Sequence, residues 1–189
     1  MSSTTGRYHP VAMALHWIMA LCIIFMIVLG LVMEDITPVA SRFEWFQIHK
    51  SLGLTILLLS VLRLGWRLLH TAPPLPTHMS KLEKLAAHGG HWGLYVLMFA
   101  MPLSGWAMVS ASGKYPTIFF GLFTVPHLPI PAEHAKTIGG IAHEGHEITA
   151  VYLAIGLIVL HVLAALKHQF IDKDHLFARM MPRSIIKGE

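Results

Sequence analysis

Apolar residues in this chain do not alternate with polar ones; they run. No Asp, Glu, Lys or Arg falls between Arg7 and Glu34, and a helix of about 20 apolar residues crosses a hydrocarbon core. This places a first membrane span at about 11–33. A second is expected at about 46–69, where Lys50 and Arg63 bound a short charge-free core and either snorkel outward or face the bundle. A third is expected at about 88–110, with Pro102 as a kink, and a fourth at about 146–170. The punctuation fixes the connections. Residues 34–44 read as a short polar loop, and 71–80, with Pro73, Pro74 and Pro76, cannot be regular helix. Residues 110–140 carry four prolines and read as a long loop with room for one short surface helix.

Composition agrees with one membrane domain over residues 1–189. Only 13% of the residues are charged and the mean hydropathy is +0.60, whereas a soluble domain is about 25% charged. The net charge of +4 then reports topology, and no nucleic-acid-binding motif accompanies it. The first apolar run is too long for a cleavable signal peptide, and no small-residue cleavage site follows it. Cys22 is the single cysteine. It excludes an internal disulfide, a four-cysteine iron–sulfur or zinc site, and covalent c-type haem. Arg7, Arg63, Arg67, Lys81, Lys84 and the basic tail (Lys167, Lys173, Arg179, Arg183, Lys187) share one side of the membrane. The other side holds fewer cations (Arg42, Lys50, Lys114, Lys136) and most of the acids. The positive-inside rule puts both termini in the cytoplasm.

Fourteen histidines change the picture most. An ionisable side chain at bilayer depth is costly and marks a functional site. With a rise of about 1.5 Å per residue, His16 lies in the inner half of span one, and His161 lies about 22 Å inward of His146 in span four. His49 and His146 lie near the outer rim. Two levels result, His16 with His161 and His49 with His146, each drawing two imidazoles from different helices. That is the donor set of a six-coordinate b-type haem, and bis-His ligation favours electron transfer over oxygen activation. The reading is an all-α integral membrane four-helix bundle enclosing two b-type haems, a wire across the bilayer. His143 competes with His146 for the outer level. His88 and His91 read equally well as an interfacial polar cap. Arg63 and Arg67, four apart, suit either haem propionates or plain topology anchoring. Gly53, Gly93, Gly105 and Gly156 suit close approach of haem or a helix, or ordinary packing.

Several stretches carry a family resemblance: Leu15-His16-Trp17, Ile48-His49-Lys50, Arg63-Leu-Gly-Trp-Arg67, Ala72-Pro-Pro-Leu-Pro76, His88-Gly-Gly-His91, Pro102-Leu-Ser-Gly-Trp106, Leu160-His161 through His168, and Arg179-Met-Met-Pro182. Each is weak alone; in this order, over nearly the whole chain, they are specific. The sequence resembles the bacterial cytochrome b561 family of four-helix, dihaem inner-membrane proteins. The resemblance implies two haems held by the four histidines above and a quinone site at the cytoplasmic side, with His168, His91, Lys81 and Lys84 as candidates to bind ubiquinone or relay protons. Chain length and tail are similar to superoxide oxidases. These take an electron from superoxide at the periplasmic side and pass it through both haems to ubiquinone; Lys50, Lys114 and Lys136 are the cations available to steer the anion. One departure stands out. The family's span-four histidines are 14 apart, and here His146 and His161 are 15 apart, with Glu at 147. A one-residue π-bulge restores the face; otherwise His143, on the same helical face as His161, serves instead. Two rivals remain open. One is a cytochrome b anchor or electron-carrier subunit of a periplasmic dehydrogenase or hydrogenase. The other is a haem-free proton or metal transporter.

Overall fold

The computed structural model describes residues 6–182; Arg183 and Lys187, counted above among the tail cations, lie outside them. Four helical rods run up and down: α1 (Pro10–Val32), α2 (Val39–Leu69), α3 (Lys81–Ser112) and a fourth rod made of α4 (Ala132–Ile148) and α5 (Ile155–Phe170). All four are long and apolar enough to cross a membrane. The architecture is an all-α, membrane-spanning four-helix bundle. Its outer surface is what lipid requires: Ile18, Leu21, Ile24, Phe25, Val28 and Leu31 are exposed along α1 alone.

Local chemistry sets the helix ends. His9 caps α1 by accepting the Val11 N–H, and Pro10 follows where no N–H is needed. Ser80 and Glu83 form a reciprocal capping box on α3, and Gly113 (φ 61°) closes that helix in the left-handed conformation. The helices outrun the apolar stretches that announced them. α2 begins at Val39 rather than about 46, α3 at Lys81 rather than about 88, and the fourth rod at Ala132 rather than about 146. The reason is physical: hydropathy marks only what lies in hydrocarbon. The 39-residue fourth rod is about 58 Å long, well beyond a core of about 30 Å. α3 runs through Pro102 without a break in the helix.

The connection after α3 is also more ordered than its prolines suggest. β1 (Thr117–Phe119) and β2 (Phe123–Val125) pair antiparallel. The turn places Phe120 (φ 45°) and Gly121 (φ 77°) at positive φ and is closed by the Leu122 N–H on the Phe119 carbonyl. Polar groups of α2 hold this hairpin. Gln47 accepts from the Ile118 N–H, Ser51 accepts from the Phe120 N–H, and Lys50 donates to the Pro116 carbonyl at 2.6 Å.

Between helices, small polar side chains replace the hydrophobic effect that lipid removes. Ser51 and Ser60 are fully buried, and Ser60 reaches the Met98 carbonyl of α3. At the end holding both termini, the Trp17 indole donates to the Met180 carbonyl, Arg7 to the Met181 carbonyl, and the Tyr8 N–H to the Arg179 carbonyl. The tail is thereby folded back under α1.

Candidate functional site

Two clusters of imidazoles occupy the bundle interior, one near each end. At the termini end, His16 of α1 and His161 of α5 have ring centres 6.1 Å apart. His91 of α3 lies 5.5 Å from His161. Arg63 of α2 donates through Nη2 to His16 Nδ1 at 3.0 Å, and its guanidinium sits 5.9 Å from the Tyr95 ring centre. The Arg63 Nε is buried without a partner. A buried guanidinium with an unused donor is a strong site for a planar anion. Arg67, one turn on, is exposed.

At the opposite end, His49 of α2 and His146 of α4 have ring centres 6.2 Å apart. Each ring lies against a glycine. A Cβ on Gly30 would meet His49 Cε1 at 3.4 Å, and one on Gly105 would meet His146 Cε1 at 3.1 Å. Ser104 gives its hydroxyl proton to the Met101 carbonyl at 2.9 Å and is 3.0 Å from His146 Nδ1. Its oxygen therefore accepts from that nitrogen, which leaves His146 Nε2 with a free lone pair. The His49 Nδ1 is buried and unpartnered.

A π-helical segment, Thr149–Ala154, lies between His146 and His161. A π turn absorbs one extra residue, so an advance of 15 residues winds like one of 14 and keeps both rings on the interior side. His143 points elsewhere: its Nδ1 meets Glu147 Oε1 at 3.0 Å, and both side chains are more than half exposed. Replacing Gly105 by valine drives a β-branched side chain into His146. The expected cost is about 1–3 kcal/mol of overpacking, read as a lower thermal midpoint.

The other residues singled out from sequence do not form one site. Lys81 is exposed, and Lys84 is half-buried in the first turn of α3. His168 is buried, with Nδ1 2.8 Å from Asp174 Oδ2 and 3.1 Å from Asp172 Oδ2. The donor atoms of His168, Asp172 and Asp174 all lie within 4.8 Å of one another, a potential metal-binding cluster. Sequence reading missed Asp172 and Asp174, although their spacing from the end of an apolar helix was visible. It also missed Gly30, whose role needs the partner helix. Of the glycines it named, Gly93 and Gly105 are close approaches, whereas Gly156 has open space. Lys50 is tied to the hairpin, while Lys114 and Lys136 are exposed.

Burial alone pushes the Asp174 carboxyl up, but the Leu176 N–H, then His168 and His78, outweigh it and hold the group below its ordinary value. A depressed carboxylate stabilises the fold above the unfolded value of about 4 and loses that contribution as pH falls through the folded value. Amide exchange of residues 172–181 is expected to stay slow at pH 5 and to accelerate only below the ordinary carboxylate range.

Comparison with known proteins agrees with this architecture. The profile described as "Prokaryotic cytochrome b561" matches residues 7–183. "Cytochrome b561 homolog 2" of Escherichia coli (strain K12) is 35% identical over 188 residues, covering 97% of this chain and 95% of that protein. "Probable superoxide oxidase CybB" of Yersinia pestis is 31% identical over 178 residues, covering 94% and 97%. With a profile spanning nearly the whole chain and relatives of matching length, the chain belongs to the prokaryotic cytochrome b561 family of membrane electron carriers.

Proposed function

We propose that this protein is a dihaem cytochrome b of the bacterial inner membrane that carries electrons across the bilayer to ubiquinone, with superoxide as the donor. The observation that carries the reading is the pair of cross-helix imidazole spacings, 6.1 and 6.2 Å. Two imidazoles on opposite sides of one metal, with bonds of about 2 Å, have ring centres roughly 6 Å apart. The donor set fits as well: His146 is held by Ser104 with Nε2 free, and His49 has a buried, unpartnered nitrogen.

His16 and His161 would hold the inner haem, and His49 and His146 the outer one. When bound, such groups supply reversible one-electron chemistry without an open coordination site. The chain's own residues do the rest. Gly30 and Gly105 leave room beside the outer imidazoles. Arg63 now donates to His16 Nδ1, which keeps the ring proton on Nε2. Ligation through Nε2 requires that proton on Nδ1 and Arg63 turned away, toward an anionic propionate. Arg67, in the last turn of α2, is the second cation at that end. The excess of Lys and Arg at this end supports a cytoplasmic side here, by the positive-inside rule. Ubiquinone then takes two electrons and two protons at this end. His91 is beside His161, Lys81 and Lys84 open α3, and His168 has its Nε2 to offer. At the other end, exposed Lys114 and Lys136 are the cations that attract superoxide.

A second reading keeps the wire without superoxide as donor. The Escherichia coli relative at 35% identity bears a name that specifies no donor. Optical spectra separate the two. Oxidised protein exposed to a superoxide source is expected to grow a b-type α band, which a ubiquinone analogue then abolishes. A protein that dithionite reduces but superoxide leaves oxidised would overturn the superoxide step and leave the carrier.

A further inference from the structure

At the termini end, outside both imidazole levels, four donors converge from three segments: His78 before α3, His168 near the end of α5, and Asp172 and Asp174 in the turn that follows. We propose that these residues form a binding site for one divalent cation of the zinc class.

The spacing suits a metal. His168 Nδ1 is 2.8 Å from Asp174 Oδ2 and 3.1 Å from Asp172 Oδ2, and His78 Nε2 is 3.3 Å from Asp174 Oδ2. Ligands on tetrahedral bonds of about 2.0–2.1 Å stand roughly 3.3 Å apart; the His168, Asp172 and Asp174 donors already lie within 4.8 Å of one another, and the exposed His78, which reaches Asp174, swings in as the fourth. Mixed imidazole and carboxylate donors suit zinc and its neighbours better than magnesium or calcium.

Among the cations around the site, Lys167 touches Asp172 at 2.7 Å and Glu83 at 3.0 Å, while Arg7 and Arg179, which line the cleft beside Asp174, donate to the Met181 and Pro74 carbonyls and leave Asp174 to the imidazoles. Asp174 has a side chain only 5% exposed, and a buried carboxylate needs a partner or a metal.

The site is also oriented and reachable. The Leu176 N–H holds Asp174 Oδ1 at 3.0 Å, which leaves Oδ2 directed at the imidazoles. Lys173 (φ 53°) and His175 (φ 58°), on either side of Asp174, adopt the left-handed conformation, which side chains rarely take and which turns the chain sharply at Asp174. A cleft of about 280 Å³ lined by Asp174, Arg7 and Arg179 opens beside it, and the His78 side chain is 58% exposed. A cation entering there displaces Lys167 from Asp172 and leaves it to Glu83.

The test uses the full-length, haem-loaded protein in detergent, stripped with chelator, then titrated with Zn2+ by calorimetry and checked by elemental analysis. The expected result is one equivalent bound, absent in D174N and weakened roughly tenfold or more in H78A. The exposed His78 position guards against a variant that fails to fold, and an unchanged haem spectrum reports folding in both. H143A controls for the exposed His143–Glu147 pair at the opposite end. Zinc bound equally by D174N, or lost only in H143A, overturns the proposal. The zinc stoichiometry does not depend on the superoxide reading, so the two fail separately.

Discussion

A His161→Ala chain is expected to purify with about half the haem absorbance of the parent, and with the remaining haem still low-spin. The geometry makes His161 the decisive residue of its level. It neighbours both His16 at 6.1 Å and His91 at 5.5 Å, so its removal takes away the ring these two share as a neighbour. His16→Ala is expected to be milder, because His91 remains beside His161 and can complete a second axial position. The check is a haem-to-protein ratio with an absorption spectrum for each variant. Full haem content in His161→Ala would place the inner ligand elsewhere.

The second large effect concerns winding. One alanine inserted after Thr149, at the start of the π segment, rotates α5 against α4 by about 100°. His146 and His161 then no longer face the same interior, and loss of at least one haem is expected. Deleting one residue from the segment has the opposite outcome: the π turn relaxes to α, the spacing becomes 14, and both haems are retained. His143→Ala leaves both in place, since His143 pairs with Glu147 outside the bundle. A chain that tolerates the insertion, or that loses haem with His143→Ala, would show that the outer ligand had been assigned to the wrong turn.

Much of this was legible in the sequence, because membrane helices announce themselves through uninterrupted apolar length and a buried histidine stands out against it. The 15-residue interval was visible as an anomaly, and the π segment is the backbone's answer to it. What escaped is equally instructive. The polar first turns of α2, α3 and α4 lie outside the apolar signal, so their helices looked shorter than they are. The hairpin at 117–125 rests on two three-residue strands and on side chains of α2, a dependence that no local pattern displays. Gly30 matters only because His49 faces it across a helix boundary. Asp172 and Asp174 drew no reading at all, because only the turn after α5 brings them onto His168.

The central claim is that two imidazole pairs, at two levels of one bundle, each hold a haem. Haem content per chain, measured by pyridine haemochrome on haem-replete protein together with its electron paramagnetic resonance spectrum, tests this most directly. The account predicts two b haems per chain, both low-spin with two imidazole ligands. One haem per chain, none, or a high-spin signal from an open iron would contradict it.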